Sequence, residues 1–394
     1  MQIHIKQSDE RLCDIAEGYG ISEDALRIIN EIADGEPCDG EELLILTPTR
    51  SYTVQYGDTP ERIALRFGIR VADIFMMNPW IDNQLKPGQR LALKYDERRG
   101  GMAVANGYFY KGCDRKKLLQ VMPYLTYVTF AGAVADQRGV RRSADFGEEI
   151  RLAQKGRKTP LLRVYDRYPE RYKSEGELTS FAKELIELAQ TDGYKGLVID
   201  ACSLSSSAEE FSSFLMILRK LMIGCDLILI TEINESSPTN FSEFADGSIM
   251  YYPKYAMENP KSFEDGERSV MADFACRGES AKTFIDLPSL ARRGAEFCPI
   301  RDALSAARKC GGRVWQNEST LLCRVDGKQG DYTFASLRNI KAILEIISEF
   351  DYMGIAFDIM RTPLSHIMMY NATFKTHYFN SVRTREGCSR AVEE

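Results

Sequence analysis

The sequence predicts an α/β protein in which two copies of a small β-α-α-β unit precede a (β/α)8 barrel. Two observations carry this expectation. The first hundred residues match themselves at a fixed offset, and beyond residue 100 eight short apolar runs alternate with helical patterns. A chain of 394 residues, 44% of them apolar, is long enough for this, since a domain takes roughly 100–200 residues.

The repeat has an offset of 48 residues, placing Ile15-Ala16 on Ile63-Ala64. The same register pairs Gln7 with Gln55, Gly20-Ile21 with Gly68-Ile69, Asn30 with Asn78, Asp34 with Asp82, Gly40 with Gly88 and Leu43 with Leu91, without a gap. In the second copy Tyr52-Thr53-Val54 reads as a strand and Tyr56-Gly57-Asp58 as a turn. Thr59 then caps a helix whose Ile63, Ala64 and Phe67 share one face before Gly68 ends it. A second helix carries Val71, Ile74, Phe75 and Met76 and stops near Asn78-Pro79. Leu85 to Leu91 returns as the closing strand.

Arg98-Arg99-Gly100-Gly101 reads as a linker. The eight strands expected beyond it are Ala103–Tyr110, Tyr124–Ala131, Thr159–Tyr165, Gly196–Asp200, Asp226–Thr231, Gly247–Tyr252, Lys282–Leu287 and Gly354–Asp358. Helical periodicity separates most of them, as in Glu177–Ala189, Ser207–Met222 and Ser336–Ser348. An open doubly wound sheet would want a glycine-rich phosphate loop after its first strand, and none is present. In a barrel the chemistry sits where strands end. Those tips hold Asp166, Asp200, Cys202, Glu232, Tyr252, Asp286 and Asp358, an acidic mouth.

A formal charge of −6 argues against a nucleic-acid partner or an anionic membrane recognised through a basic surface. No run of about 18 apolar residues occurs, so membrane insertion is not expected. The N-terminus lacks the pattern of a secretory signal, which points to synthesis and retention on the cytoplasmic side. Ten cysteines with no C-x-x-C pair, and three histidines (His4, His366, His377), indicate no metal site, no disulfide framework and no cofactor.

The stretch YTVQYGDTPERIALRFGIRVADIFMMNP followed by LKPGQRLAL resembles the lysin-motif (LysM) domain. That family binds N-acetylglucosamine polymers such as peptidoglycan and chitin. The resemblance implies a glycan groove at Gly57, Asp58, Thr59, Pro60, Asn78, Pro79, Trp80 and Ile81. Trp80 is equally readable as a packing residue. The first copy departs at the turn, where Asp9-Glu10 replaces the glycine-aspartate pair, and weaker binding is expected there. Two linked repeats would add avidity if one strand spans both.

GYKGLVIDA and SIMYYP, Asp286-Leu287-Pro288 and YTFASLRNIKAILEIISEFDYMGIAFDIM resemble the fourth, sixth, seventh and eighth strand regions of glycoside hydrolase family 18. The likeness is greatest to LysM-bearing N-acetylglucosaminidases of bacterial spores. It implies a TIM barrel over residues 102–380, with a small α+β insertion about 300–335, after repeats at 1–48 and 49–97 and before a tail at 381–394. It also implies association with the spore coat or cortex, reached from the mother-cell cytoplasm.

The family signature D-x-x-D-x-D-x-E falls on Lys195, Val198, Asp200 and Cys202. Only Asp200, the acetamido-orienting position, matches, and the proton donor is a thiol with an ordinary pKa of roughly 8.5. Tyr252, an acetamido contact in the family, is kept, and the eighth-strand Trp falls on Asp358. Asp200, Tyr252 and Asp358 are therefore the expected substrate contacts in the barrel.

Two readings follow. One is a glycan-binding protein with a catalytically degenerate barrel. The other is a glycoside hydrolase with a relocated acid, Glu232 or Asp286. A Cys202 nucleophile is disfavoured because no histidine lies in a segment that would reach it. Single acidic tips other than Asp200 are expected to satisfy loop amides or to pair with arginines such as Arg163 or Arg361.

Overall fold

The computed structural model describes residues 1–376 apart from 82–83, 96–100, 169–173, 201–207, 235–240, 242, 252–259 and 327–329. The first unit comprises β1 (Gln2–Ile5), α1 (Leu12–Gly18), α2 (Glu23–Ile29) and β2 (Glu42–Ile45). The second comprises β3 (Arg50–Thr53), α3 (Pro60–Phe67), α4 (Val71–Met77) and β4 (Arg90–Lys94). In each, the two strands pair antiparallel.

The sequence repeat has a physical cause in its asparagine. Asn30 Nδ2 donates to the carbonyls of Leu26 (2.9 Å) and Leu44 (3.1 Å), and its Oδ1 accepts from the Leu44 amide at 2.7 Å. Asn78 does the same with Ile74, Ala92 and the Ala92 amide, all at 2.7 Å. One amide thus ties the end of the second helix to the closing strand. The turns correspond too: the Gln7 amide donates to Glu10 Oε2 and the Gln55 amide to Asp58 Oδ2, each at 2.7 Å. Glu10 therefore performs the turn-closing role of Asp58 despite the altered sequence. Gly20 and Gly68 end the first helices at φ 65° and 67°, a conformation that favours glycine.

The barrel begins with β5 (Met102–Phe109), α5 (Arg115–Val121) and β6 (Tyr127–Asp136), extended by the antiparallel β7 (Gly139–Arg142). It continues through α6 (Gly147–Lys155), β8 (Thr159–Asp166), α7 (Glu175–Thr191), β9 (Gly196–Asp200), α8 (Ala208–Met222), β10 (Ile228–Ile233), β11 (Gly247–Met250), α9 (Ser269–Cys276) and β12 (Thr283–Asp286). An insertion follows, with β13 (Leu290–Arg293), β14 (Glu296–Pro299), α10 (Ile300–Arg308), β15 (Val314–Gln316), β16 (Leu322–Val325) and β17 (Tyr332–Ala335). Then come α11 (Leu337–Glu349), β18 (Gly354–Asp358), α12 (Leu364–Thr373) and a short β19 (Lys375–Thr376) beside β5.

Strands β5, β6, β8, β9, β10, β11, β12 and β18 are parallel neighbours, and pairing of β5 with both β6 and β18 closes the ring. Each expected strand run corresponds to one of them. The insertion folds as an antiparallel sheet in the order β14-β13-β17-β16-β15. Its Ala291, Val314, Cys323, Val325 and Phe334 pack with Ile300, Ala303 and Ala307 of α10.

Period-two alternation places the mouth residues. Val104, Tyr127, Leu161, Val198, Ile230, Ile249, Phe284 and Ala356 form one apolar cluster inside the ring. Two positions further along the strands stand Asn106, Thr129, Arg163, Asp200, Glu232, Tyr251, Asp286 and Asp358. Side chains two apart on a strand share a face, so the apolar floor positions a polar layer above it.

Ring closure demands a glycine. At Gly354 (φ 154°) an added Cβ would lie 1.8 Å from the Val104 carbonyl oxygen. Gly354→Ala is expected to lower unfolding stability by about 2–3 kcal/mol through this overpacking, seen as a lower urea midpoint.

Candidate functional site

At the barrel mouth β8 delivers Arg163, β9 Asp200 and β10 Glu232, and Tyr251 follows β11. Arg163 Nε donates to Glu232 Oε1 at 2.7 Å and its Nη2 to Oε2 at 2.6 Å, a two-point pairing. The same Nη2 reaches Asp200 Oδ2 at 3.2 Å and the Tyr251 hydroxyl oxygen at 3.0 Å. Tyr108, on β5, donates its hydroxyl to Glu232 Oε1 at 2.8 Å. The side chains of Arg163 and Glu232 are 8% and 0% exposed, so the pair is desolvated. Burial alone would lower the Arg163 pKa, but the Glu232 charge and hydrogen bonds outweigh it and raise it. Burial, then the Glu232 charge, pushes both Tyr108 and Tyr251 well up. Tyr165, two residues beyond Arg163, covers the guanidinium with its ring centre 4.1 Å away and is 40% exposed.

The acidic tips divide. Glu232 accepts from Arg163 with both oxygens and from Tyr108 with Oε1, and its side chain is fully buried. Asp200 also belongs to this network, although the sequence marked it as the one tip free for substrate. Asp358 spends its carboxylate on the following loop: it accepts from the amides of Met360 (2.9 Å) and Arg361 (3.0 Å) and from the Tyr110 hydroxyl (2.9 Å). Arg361 stands 3.5 Å away as its ion partner. Asp166 accepts from the Tyr168 amide at 3.0 Å. Asp286 is half-buried at the end of β12, and its charge contributes to the upward shifts of Tyr108 and Tyr251.

Of the other signature positions, Val198 is fully buried in the floor and Lys195 is exposed below it. Lys195 therefore does not face the pocket, and Arg163 occupies the polar layer above the floor. Cys202 and Tyr252 lie outside the described residues. His366 sits on α12, buried, and lines a cavity with Glu41 and Arg308. Burial depresses its pKa to about 3. Among the described residues no group of three or more His, Cys, Asp or Glu side chains could hold a metal ion.

In the second repeat, Gly57 (φ 81°) forms the turn and Asp58 closes it. Asp58 accepts from the Tyr52 hydroxyl at 2.6 Å and from the Gln55 amide, which hold its carboxyl below the usual range. Thr59 Oγ1 caps α3 by accepting from the Arg62 amide at 3.3 Å, with Pro60 at the first helical position. Asn78 is buried and wholly engaged as described, so its side chain has no donor left for a sugar. Trp80 is half-buried and packs against the barrel's main core, while Pro79 and Ile81 stay half-buried. The unit is further joined to the barrel where the Tyr124 hydroxyl donates to the Met76 carbonyl at 2.6 Å.

The family model that matches describes a LysM domain, over residues 52–94. In fold, the chain is similar to the spore cortex-lytic enzyme SleL of Bacillus cereus (TM-score 0.73, 15% identity, 96% of this chain and 99% of that one). Residues 52–94 thus match a LysM domain, and the barrel shares its fold with solved chitinases of glycoside hydrolase family 18. The SleL of Bacillus megaterium gives a TM-score of 0.72 at 15% identity, over the same shares of both chains. The barrel is matched by a class V chitinase of tobacco, Nicotiana tobaccum (TM-score 0.56, 12% identity, 68% of this chain, 98% of that chain). In sequence it is 25% identical over 256 residues to the putative sporulation-specific glycosylase YdhD of Bacillus subtilis. That match takes in 61% of this chain and 60% of the relative's length.

No motif in the sequence marks Tyr108, Tyr251 or Tyr165, and charge alone offers Arg163 solely as an ion partner. Their signal was the alternation itself, which puts each two or four positions beyond an interior apolar residue. Arg163→Met leaves Glu232 buried without its cation and is expected to cost about 3–5 kcal/mol of stability. Arg163→Met with Glu232→Leu should recover most of it, as measured by chemical denaturation of both variants.

Proposed function

We propose that this protein binds N-acetylglucosamine-containing glycan through its LysM portion and that its barrel has given up family-type hydrolysis, serving as the scaffold. The carrying observation is the buried two-point pairing of Arg163 with Glu232. It fills the mouth with an internal ion pair where a hydrolase of this kind needs a proton-bearing carboxyl group facing the leaving oxygen. The sequence supports the same reading, with Lys195, Val198 and Cys202 at three of four signature positions. A thiol in the acid position forfeits about 10²–10⁴-fold in rate.

The ligand class is carried over from relatives. The Cycas revoluta chitinase of this fold was solved with (GlcNAc)3, and the SleL enzymes act on spore cortex. With the sporulation-specific relative, these favour the glycan of a spore wall as the ligand and the spore as the place of action. Among the described residues no helix is long and apolar enough to cross a membrane.

The test combines co-sedimentation on purified peptidoglycan and chitin with reducing-end release from the same tubes. Retention without release is expected for the wild type, and Cys202→Glu alone should restore little turnover because Arg163 still fills the mouth. Ordinary release by the wild type that is lost in Asp286→Asn or in folded Glu232→Gln would establish the relocated-acid enzyme instead.

A further inference from the structure

Both repeats touch the barrel, the second through Trp80 and the Met76 carbonyl, but they differ at their facing walls. In the first, the walls that would part around a glycan are bridged. The Leu12 amide, at the start of α1, donates to the Glu36 carboxylate at 2.7 Å, and Glu36 belongs to the loop after α2. The corresponding positions 48 residues on are Pro60 and Gln84. Proline has no N–H to donate, so the second repeat cannot form this bridge.

The far wall of the first repeat is also occupied. Arg308 of the insertion donates to the carbonyls of Glu31 (3.0 Å) and Asn30 (3.4 Å) and pairs with Glu41, with the two side chains 7% and 3% exposed. Glu31 is held by Lys117 of α5 at 2.7 Å, and Glu42 by Arg338 of α11 at 2.7 Å. Ile29, Leu44 and Leu46 belong to the barrel's core, whereas Cys38 belongs to that of the insertion. The Val314 amide donates to the Asp39 carbonyl at 2.8 Å, adding this segment beside β15. Gly40 packs so tightly there that a Cβ would come 2.1 Å from the Val314 oxygen.

We infer that the first repeat is closed to glycan and has become a strut joining the insertion sheet to the barrel, so that sugar recognition rests on the second repeat alone. This rests on the glycan-binding reading above and excludes avidity from two repeats on one strand.

The test uses the full chain and co-sedimentation on peptidoglycan. Pro60→Leu with Gln84→Glu transplants the bridge into the second repeat and should weaken retention at least tenfold with an unchanged melting temperature. Exposed changes on the first repeat, Asp9→Arg and Arg11→Glu, should leave retention within twofold. A tenfold loss from the latter pair, or none from the former, overturns the assignment. If the wild type binds no glycan, the function proposed above fails by itself. The strut is then judged by Arg308→Ala, which should lower Tm by several degrees and speed hydrogen exchange at 314–316. No change in either would refute it. Arg308→Lys, which keeps the charge, should lower Tm less.

Discussion

A guanidinium inside a barrel must be neutralised where it lies, and in this protein that constraint organises the mouth. Arg163 reaches up from the apolar floor on β8, and only an acid on a neighbouring interior position can meet it without solvent. Glu232, two positions beyond Ile230 on β10, is that acid. Asp200 and Tyr251 then accept from the Arg163 Nη2, and Tyr108 donates to Glu232. Groups that would otherwise be candidates for binding a sugar are thereby turned toward one another. The same pairing leaves Glu232 buried, the feature on which the proposed loss of hydrolysis rests.

The two N-terminal units show how one motif serves two ends. Its asparagine, its αL glycines and its turn-closing carboxylate are all devices for folding a unit of under fifty residues, and both copies retain them. None of them speaks to binding. What separates the copies is peripheral: a proline or a leucine at the helix start, and an acid or an amide in the facing loop. The first copy further carries Glu31, Glu41 and Glu42, whose partners Lys117, Arg308 and Arg338 come from the barrel and its insertion. A repeat that spends its loop carbonyls on an arginine has exchanged ligand contacts for domain contacts.

The architecture was legible in the sequence because it rests on local and periodic signals. The 48-residue register exposed the repeat, and β-branched runs bounded by helical periodicity exposed the eight strands. Even the mouth was half legible. The strand tips could be named, and a pairing of acids with Arg163 or Arg361 could be anticipated from charge alone. Which acid would pair with which arginine could not, since Arg163 and Glu232 are 69 residues apart and meet only when strands β8 and β10 flank β9.

By itself, then, the amino-acid order determined the two units, the ring of strands and the face on which each interior residue stands, since period and turn chemistry act over a few residues. Tertiary structure decided the rest. It engaged Asp200 and Glu232 with Arg163, turned Asp358 to its own loop and buried Asn78 within its unit. It also bound the first repeat to the insertion. Such choices depend on distance and desolvation between segments far apart along the chain, which a local pattern cannot encode.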